Sequence, residues 1–201
     1  MKKIILIGAG GHCKSCIDII ERIPNIKINV ILDKKNNINN LFQKYKVYKD
    51  DEIEKKKYQN NLVLITVGQI KNSLLRKKLF NRFSKKGFKF ISILSKNSTV
   101  SKYSKINDGN IIMNYSYIGP NVEIGKNCII NNYASVEHDS IIGDHCHIST
   151  GVKINGNCKI GEGTFIGSGT ILNNNVSIGK NCIISSGLTI KKDIKDNKLI
   201  K

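Results

Sequence analysis

The sequence predicts an α/β unit followed by an all-β parallel solenoid, and two patterns carry that prediction. The first is a repeat of six residues. From Val100, steps of six land on Ile106, Ile112, Ile118, Ile124, Ile130 and Val136, and then on Ile142, Ile148, Ile154, Ile160, Ile166, Leu172, Ile178, Ile184 and Ile190. The second is a different grammar before residue 95, where apolar runs alternate with a glycine loop and helical spacing.

A period of six matches neither the 3.6 of an α-helix nor the two of a long strand. It suits short strands joined by tight turns, each giving one aliphatic side chain to a shared column, so the coils form a β-helix. A sandwich of ordinary strands would show spacings of roughly 8–12 residues with scatter, whereas this register runs from residue 100 to residue 190 without a slip. Four residues after each aliphatic comes a small or apolar one, including Cys128, Ala134, Ser140, Cys146, Val152, Cys158, Thr164, Thr170 and Cys182. Glycine follows the aliphatic at 119, 125, 143, 161, 167 and 179, where a tight corner needs a residue without Cβ.

Ahead of the repeat, residues 2–7 read as a buried strand, 8–12 as a tight glycine loop and 13–23 as a helix ending before Pro24. A second strand spans 27–32 and stops at Asp33. A polar stretch over 34–40 and a weak element over 41–48 follow. Residues 61–67 form a third strand closed by Gly68, 71–86 have helical spacing through Leu74, Leu75, Leu79 and Phe83, and 88–94 read as a last strand. Strand, glycine loop, helix and a strand ending in an acidic residue make a small Rossmann-like βαβ domain. Such a loop lets backbone N–H groups and a helix N-terminus approach phosphate. Gly8-x-Gly10 is present, but Cys13 occupies the third glycine position and a second mononucleotide half is lacking. This disfavours a dehydrogenase and leaves a single nucleotide or a nucleotide sugar as the better fit. The division is 1–95 for the acceptor-binding unit and 96–201 for the solenoid.

The composition is that of a folded chain: 201 residues, 40% of them hydrophobic. No apolar run approaches the roughly 20 residues that span a bilayer. The first apolar run is too short for a signal peptide and breaks into glycines, so a cytoplasmic protein with no membrane partner is expected. The net charge of +18 comes from scattered lysines without interleaved aromatics, which argues against nucleic acid and for small polyanionic ligands. Cys128, Cys146, Cys158 and Cys182 sit in the small inward column and read as core fillers. Cys13 and Cys16 form a Cys-x-x-Cys at a helix start, where a redox role needs a context the sequence does not supply.

The Ile/Val/Leu-Gly-x-x-small-x hexad resembles that of the hexapeptide-repeat acyltransferases, which implies a left-handed parallel β-helix with three hexads per coil. Gly-Ala-Gly-Gly-His at residues 8–12 and Val136-Glu137-His138-Asp139 narrow the likeness. With these motifs and this domain order the whole chain resembles the bacterial sialic acid O-acetyltransferases and UDP-4-amino-sugar N-acetyltransferases. The resemblance implies acetyl-CoA as co-substrate, no metal, and a sugar or nucleotide-sugar acceptor. It also implies a homotrimer with sites between subunits, acting in surface glycan biosynthesis.

Acyl transfer from a thioester needs a base for the attacking amine or hydroxyl. His138 is the expected base, with Asp139 fixing its tautomer and stabilising the imidazolium that forms. By resemblance, His147 touches the thioester region, the Gly156 N–H meets the thioester carbonyl, where charge develops, and Ser168 and Ser186 line the pantetheine groove. His145 and His147 lack a third ligand cluster, so zinc is not expected. Gly10, Gly11 and His12 match the loop that holds the acceptor, and Asp33 and Gly68 match the other lips of that pocket. The Gly-x-Pro-Ala-Lys stretch that members usually carry beside the adenine of CoA has no counterpart after Ile194, which implies a weaker hold on CoA. The expected reaction is N-acetylation of a UDP-linked 4-amino-sugar. The alternatives are O-acetylation of a sialic acid and a non-catalytic nucleotide-sugar-binding or scaffold protein.

Overall fold

A computed structural model describes residues 1–34, 41–42, 44–49, 58 and 60–201. Residues 35–40 of the predicted polar stretch lie outside the described residues. Strands β1 (Lys2–Ile7), β2 (Ile26–Asp33), β3 (Leu41–Phe42), β4 (Tyr45–Lys49) and β5 (Asn61–Ile65) form one sheet in the order β3-β4-β2-β1-β5. β1 pairs in parallel with both β2 and β5, and β3 is antiparallel to β4. A central strand covered on both faces should be apolar along its covered length, and β1 is so from Ile4 to Ile7, after the exposed Lys2 and Lys3. Ile4 and Leu6 face the core shared with helix α1 (Gly11–Ile20), while Ile5 and Ile7 face helix α2 (Leu74–Lys85).

Both helices are shorter than their patterns predict. After Ile20 the backbone tightens, with Arg22 and Ile23 N–H groups donating to Ile19 and Ile20 carbonyls, and Asn25 takes a φ of 64°. The strand expected over 88–94 divides. Phe88 packs under α2, Phe90 bridges to Val63, and Ile93–Leu94 pairs with Ile111–Ile112 as the first rung of the solenoid. Phe90 and Ile93 are thus claimed by two different sheets.

From Ile93 onward every strand has two residues, and the strands stack into three parallel sheets of seven, six and five. The register advances by one coil of three strands, as in Tyr117↔Ser135↔Lys153↔Ile171↔Thr189. This is a left-handed parallel β-helix. The second residue of most rungs points inward, and Ile118, Ile124, Ile130, Val136, Ile148 and Ile154 are fully buried. The first residue points outward. On the five-stranded sheet it includes the exposed Lys105, Glu123 and Lys159. On the seven-stranded sheet it includes Ile93, Ile111 and Ile129, buried against α1 and β1. The N-terminal unit therefore sits on that one face of the solenoid.

The turns separate two requirements that the sequence pattern merges. Left-handed backbone falls three residues after the aliphatic, at Asn121, Asn127, Asn157, Asn175 and Asn181 with φ between 53° and 63°, and at Gly151, Gly163, Gly169 and Gly187. Asparagine and glycine are the residues that accept this conformation most readily. The glycines directly after the aliphatic serve a different need. A Cβ on Gly161 would stand 2.5 Å from the Gly179 carbonyl carbon of the next coil, and one on Gly167 2.5 Å from Ser186 N. They are required because the next coil's backbone passes over them.

The small column is also a hydrogen-bond ladder. Ser140, Thr164 and Thr170 hydroxyls donate to carbonyls fifteen residues on, at Asn155, Gly179 and Ser185. Cys128, Cys146 and Cys158 thiols do the same, and the Cys182 thiol donates to the Lys195 carbonyl thirteen residues on, each at 3.1 Å. These cysteines fill the core and in addition satisfy buried turn carbonyls. All six cysteines are free and buried. Burial raises the Cys13 thiol to about 11 and the Cys16 thiol further still, which removes the thiolate that redox chemistry needs.

One buried cation joins the two units. Arg76, on α2, donates to the Ile65 and Val67 carbonyls at 2.8 and 2.6 Å, and to the carbonyl and side-chain oxygens of Asn127 at 3.1 and 2.7 Å. Among the described residues no helix is long and apolar enough to cross a membrane.

Two glycine substitutions separate the turn requirements. Gly161→Ala drives a Cβ into backbone and should cost about 2–3 kcal/mol or more. Gly169→Asn places asparagine where other coils already carry it, in open space, and should change stability by less than about 0.5 kcal/mol. Chemical denaturation of both variants measures the difference.

Candidate active site

His138 lies in the turn after the Ser135–Val136 rung, one coil below Gly156. Its Nδ1 is 2.7 Å from Asp139 Oδ2. Since a carboxylate only accepts, Nδ1 carries a proton, and in the neutral ring Nε2 then holds the lone pair. Asp139 can turn back onto its neighbour because its backbone is left-handed, φ 60°. That carboxyl is held below its ordinary range, first by the hydrogen bond with His138 and then by one from Asn121. The imidazole lies against Gly156, where a Cβ would stand 2.6 Å from both Cε1 and Nε2. Glycine is needed there so that the ring can rest on the backbone. The His138 carbonyl accepts the Asn157 N–H at 2.9 Å.

His147 occupies an outward position on the seven-stranded sheet, yet it is buried beneath the 67–69 segment of the N-terminal unit. Its Nδ1 donates to the Gln69 carbonyl, which leaves Nε2 as the acceptor, facing Asn131 Nδ2 at 3.4 Å. The ring also meets Phe165 edge-on. Burial, reinforced by Arg76, holds His147 down to about 4 against the opposing Gln69 contact. His12 is lowered further, to about 3, by burial and then by Arg76 and His147. It does not cap α1, whose N-cap is Gly10 without a side-chain bond. Instead His12 Nε2 is buried with no hydrogen-bond partner among the described residues, as is Gln69 Oε1.

Ser168 and Ser186 stand one coil apart on a different edge, in the turns between the seven- and six-stranded sheets. Ser168 Oγ shares a 2.8 Å hydrogen bond with Ser149 Oγ. Gly151, Gly169 and Gly187 run along this edge with left-handed backbone and nothing within 4 Å of where a Cβ would be. They form a shallow open channel. The preceding coils place Tyr133 and Tyr115 at the same turn position, their rings stacked at 5.1 Å. The channel edge and the His138 edge thus flank the six-stranded sheet on opposite sides, and one chain does not bring them together.

Asp33, Gly10, Gly11 and Gly68 gather at the carboxyl ends of β1, β2 and β5. Asp33 Oδ2 accepts the Ala9 N–H at 2.6 Å. A crevice beside it is lined by Leu32, Val67, Leu75 and Leu79. Gly8 is fixed by the fold, since its φ is 105° and a Cβ would meet the Val67 side chain at 2.4 Å. Gly10 and Gly11 have nothing within 4 Å of their missing Cβ and are exposed, so packing within the chain does not require them. Among the described residues no cluster of three or more His, Cys, Asp or Glu side chains could hold a metal ion.

Sequence reasoning did not single out Asn121, Gln69, Asn131 or Arg76. Asn121 was findable, because it stands one full coil before Asp139. Gln69 acts on His147 through its backbone carbonyl, which no residue pattern reveals.

The buried neutral histidines set an acid limit. Unfolded, each would titrate near 6.5; folded, His147 and His12 stay neutral to about 4 and 3. The unfolded chain therefore binds more protons as pH falls, and stability drops from about pH 6.5 down through pH 4. Thermal midpoints between pH 7.5 and 4.5 should fall on the acid side, and His147→Gln should flatten the slope. A flat wild-type curve would contradict the neutral assignment.

Residues 3–83 match the family model described as the PglD N-terminal domain. Residues 103–136 and 157–192 match the bacterial transferase hexapeptide repeat. The interval between the last two segments, 137–156, keeps the aliphatic register through Ile142, Ile148 and Ile154 and carries His138, Asp139, His147 and Gly156 at the variable positions. No curated protein sequence matches the chain. Among solved structures, a histidine-to-asparagine variant of perosamine N-acetyltransferase from Caulobacter crescentus, in complex with CoA and GDP-perosamine, has a TM-score of 0.91 at 24% identity; the alignment covers 99% of this chain and 93% of that one. The acetyltransferase domain of PglB from Neisseria gonorrhoeae, in complex with acetyl coenzyme A, gives 0.86 at 24% identity over 98% and 95%. WeeI from Acinetobacter baumannii gives 0.72 at 23% identity over 94% and 96%. At these identities the structural likenesses establish a common fold. The chain thus joins a front that matches the PglD N-terminal domain to repeats that match the bacterial transferase hexapeptide.

Proposed function

We propose that the protein transfers acetyl from acetyl-CoA to the amino group of a nucleotide-linked 4-amino-sugar. The observation that carries this reading is the His138–Asp139 pair, with Nδ1 committed to the carboxylate at 2.7 Å and the ring seated on Gly156. A neutral imidazole oriented in this way presents Nε2 as a base. The solved structures of similar fold support the substrate class, since they hold CoA with GDP-perosamine in one case and acetyl coenzyme A in another.

Acetyl-CoA would supply an activated acetyl carbon as its thioester. His138 Nε2 takes the proton released when the acceptor nitrogen bonds to that carbon, and it returns the proton to the sulfur as the carbon–sulfur bond breaks. Asp139 holds the imidazolium during the interval between the two transfers. The Gly156 N–H is assigned to the carbonyl oxygen as negative charge develops there. The glycine channel with Ser168 and Ser186 suits an extended pantetheine arm, because Gly151, Gly169 and Gly187 each leave open space where a side chain would stand. The family resemblance assigns His147 to the thioester end of the site. Gly10, Gly11, His12, Asp33 and Gly68 would hold the acceptor, with uncapped helix N–H groups for phosphate and the unpartnered His12 Nε2 for a polar ligand atom.

The channel edge and the His138 edge lie on opposite sides of one sheet, so a site that uses both takes them from two copies of the chain. A homotrimer with sites between subunits meets that demand through cyclic symmetry. The substrates place the reaction in the cytoplasm.

Release of CoA thiol measured with a UDP-4-amino-sugar, GDP-perosamine and free sialic acid in parallel tests the reading. Transfer to a nucleotide amino-sugar is expected, falling at least about 100-fold in His138→Ala. Gly156→Ala should also lose activity while remaining folded, because the new Cβ displaces the imidazole rather than backbone. Turnover with sialic acid alone would move the assignment to O-acetylation. Tight nucleotide-sugar binding without transfer to any acceptor would make the protein a binding module.

A further inference from the structure

The edge that carries His138 has its own vertical order. Asn121, Asp139, Asn157 and Asn175 occupy the same turn position in successive coils, all with left-handed backbone. Coils stack at the strand spacing of about 4.8 Å, so side chains leaving equivalent turn positions come within hydrogen-bond reach. Asn157 Nδ2 donates to Asn175 Oδ1 at 2.8 Å in this way. In the coil below, Asn121 Nδ2 donates to Asp139 Oδ1 at 3.1 Å. Here the rung has a second consequence, because Asp139 is not an amide. With Oδ1 held from beneath, the plane of the carboxylate is set, and Oδ2 is directed sideways to His138 Nδ1. The three groups form one line: amide, carboxylate, imidazole.

We propose that Asn121 is a positioning residue that fixes the Asp139 carboxylate and, through it, the tautomer of His138. The proposal rests on the reading of His138 as the base. Half-exposed carboxylates rotate and exchange with water. An imidazole next to a rotating carboxylate spends part of its time with the proton on Nε2, where it cannot accept one. A donor locked one coil below removes that freedom at the cost of no additional buried charge. The arrangement also accounts for asparagine at 121, since the left-handed turn admits glycine equally well but glycine carries no donor.

Two variants keep the backbone and remove the function. Asn121→Gly retains the left-handed turn without the amide, and Asn121→Asp replaces the donor with a group of the same charge as its partner. Nitrogen-detected NMR of the histidine rings in the unliganded protein should show His138 as a single Nδ1–H tautomer in the wild type and as a mixture in both variants. Steady-state kinetics should show kcat reduced roughly 10-fold, a part of the 10²–10⁴-fold that a general base contributes, with both KM values unchanged. Circular dichroism and thermal midpoints close to wild type would establish that the fold is intact. A single unchanged tautomer in both variants, or wild-type kcat in both, overturns the proposal. If the wild-type protein transfers acetyl to no acceptor, the reading of His138 as a base fails, and the NMR arm still decides whether Asn121 fixes the ring.

Discussion

Everything in this chain depends on how closely one coil's backbone can lie on the next. Parallel rungs meet at about 4.8 Å, and that distance constrains the turns in two ways. In most of them one residue adopts a left-handed backbone, and in six the residue after the aliphatic also gives up its Cβ because the following coil passes directly over it. Once these are met, like stacks on like through the whole solenoid. The aliphatic column is one result and the ladder of thiols and hydroxyls donating to turn carbonyls is another. The His138 edge is a third, since His138 can lie on Gly156 only because the next coil is in register with it.

Much of this was legible in the sequence because the constraint repeats. A requirement imposed sixteen times leaves a column that can be counted, and the inward Ile, the small column and the glycine positions were all visible. Their causes were less so. Glycine after the aliphatic suggested a corner conformation, yet the left-handed turn lies two residues later, where asparagine shares the task. The period of six also hides the period of eighteen. Outward residues are polar on one sheet and apolar on another, as Lys105 and Glu123 against Ile111 and Ile129 show, and only a comparison every third hexad reveals the face that receives the N-terminal unit.

The site was legible where chemistry demands a rare residue type and illegible where backbone supplies the contact. His138 and Asp139 stand out from a repeat that otherwise has no need of them. The partner of His147 is a carbonyl, and a carbonyl is present at every residue. The Gly8–Gly11 loop contained a mixture: Gly8 belongs to the fold, whereas Gly10 and Gly11 face open space, and no string of letters distinguishes the two cases.

The clasp between the two units has a consequence of its own. Arg76 is buried against carbonyl and amide oxygens rather than carboxylates. None of those acceptors titrates, and mobile ions do not reach or screen them. An interdomain ion pair would loosen as counterions accumulate or as its acid is protonated. Here the Arg76 contact is made to dipoles and does not loosen as salt accumulates, whereas the half-exposed Lys77–Glu162 pair beside it, the ionic tie between the same helix and the solenoid, is open to screening.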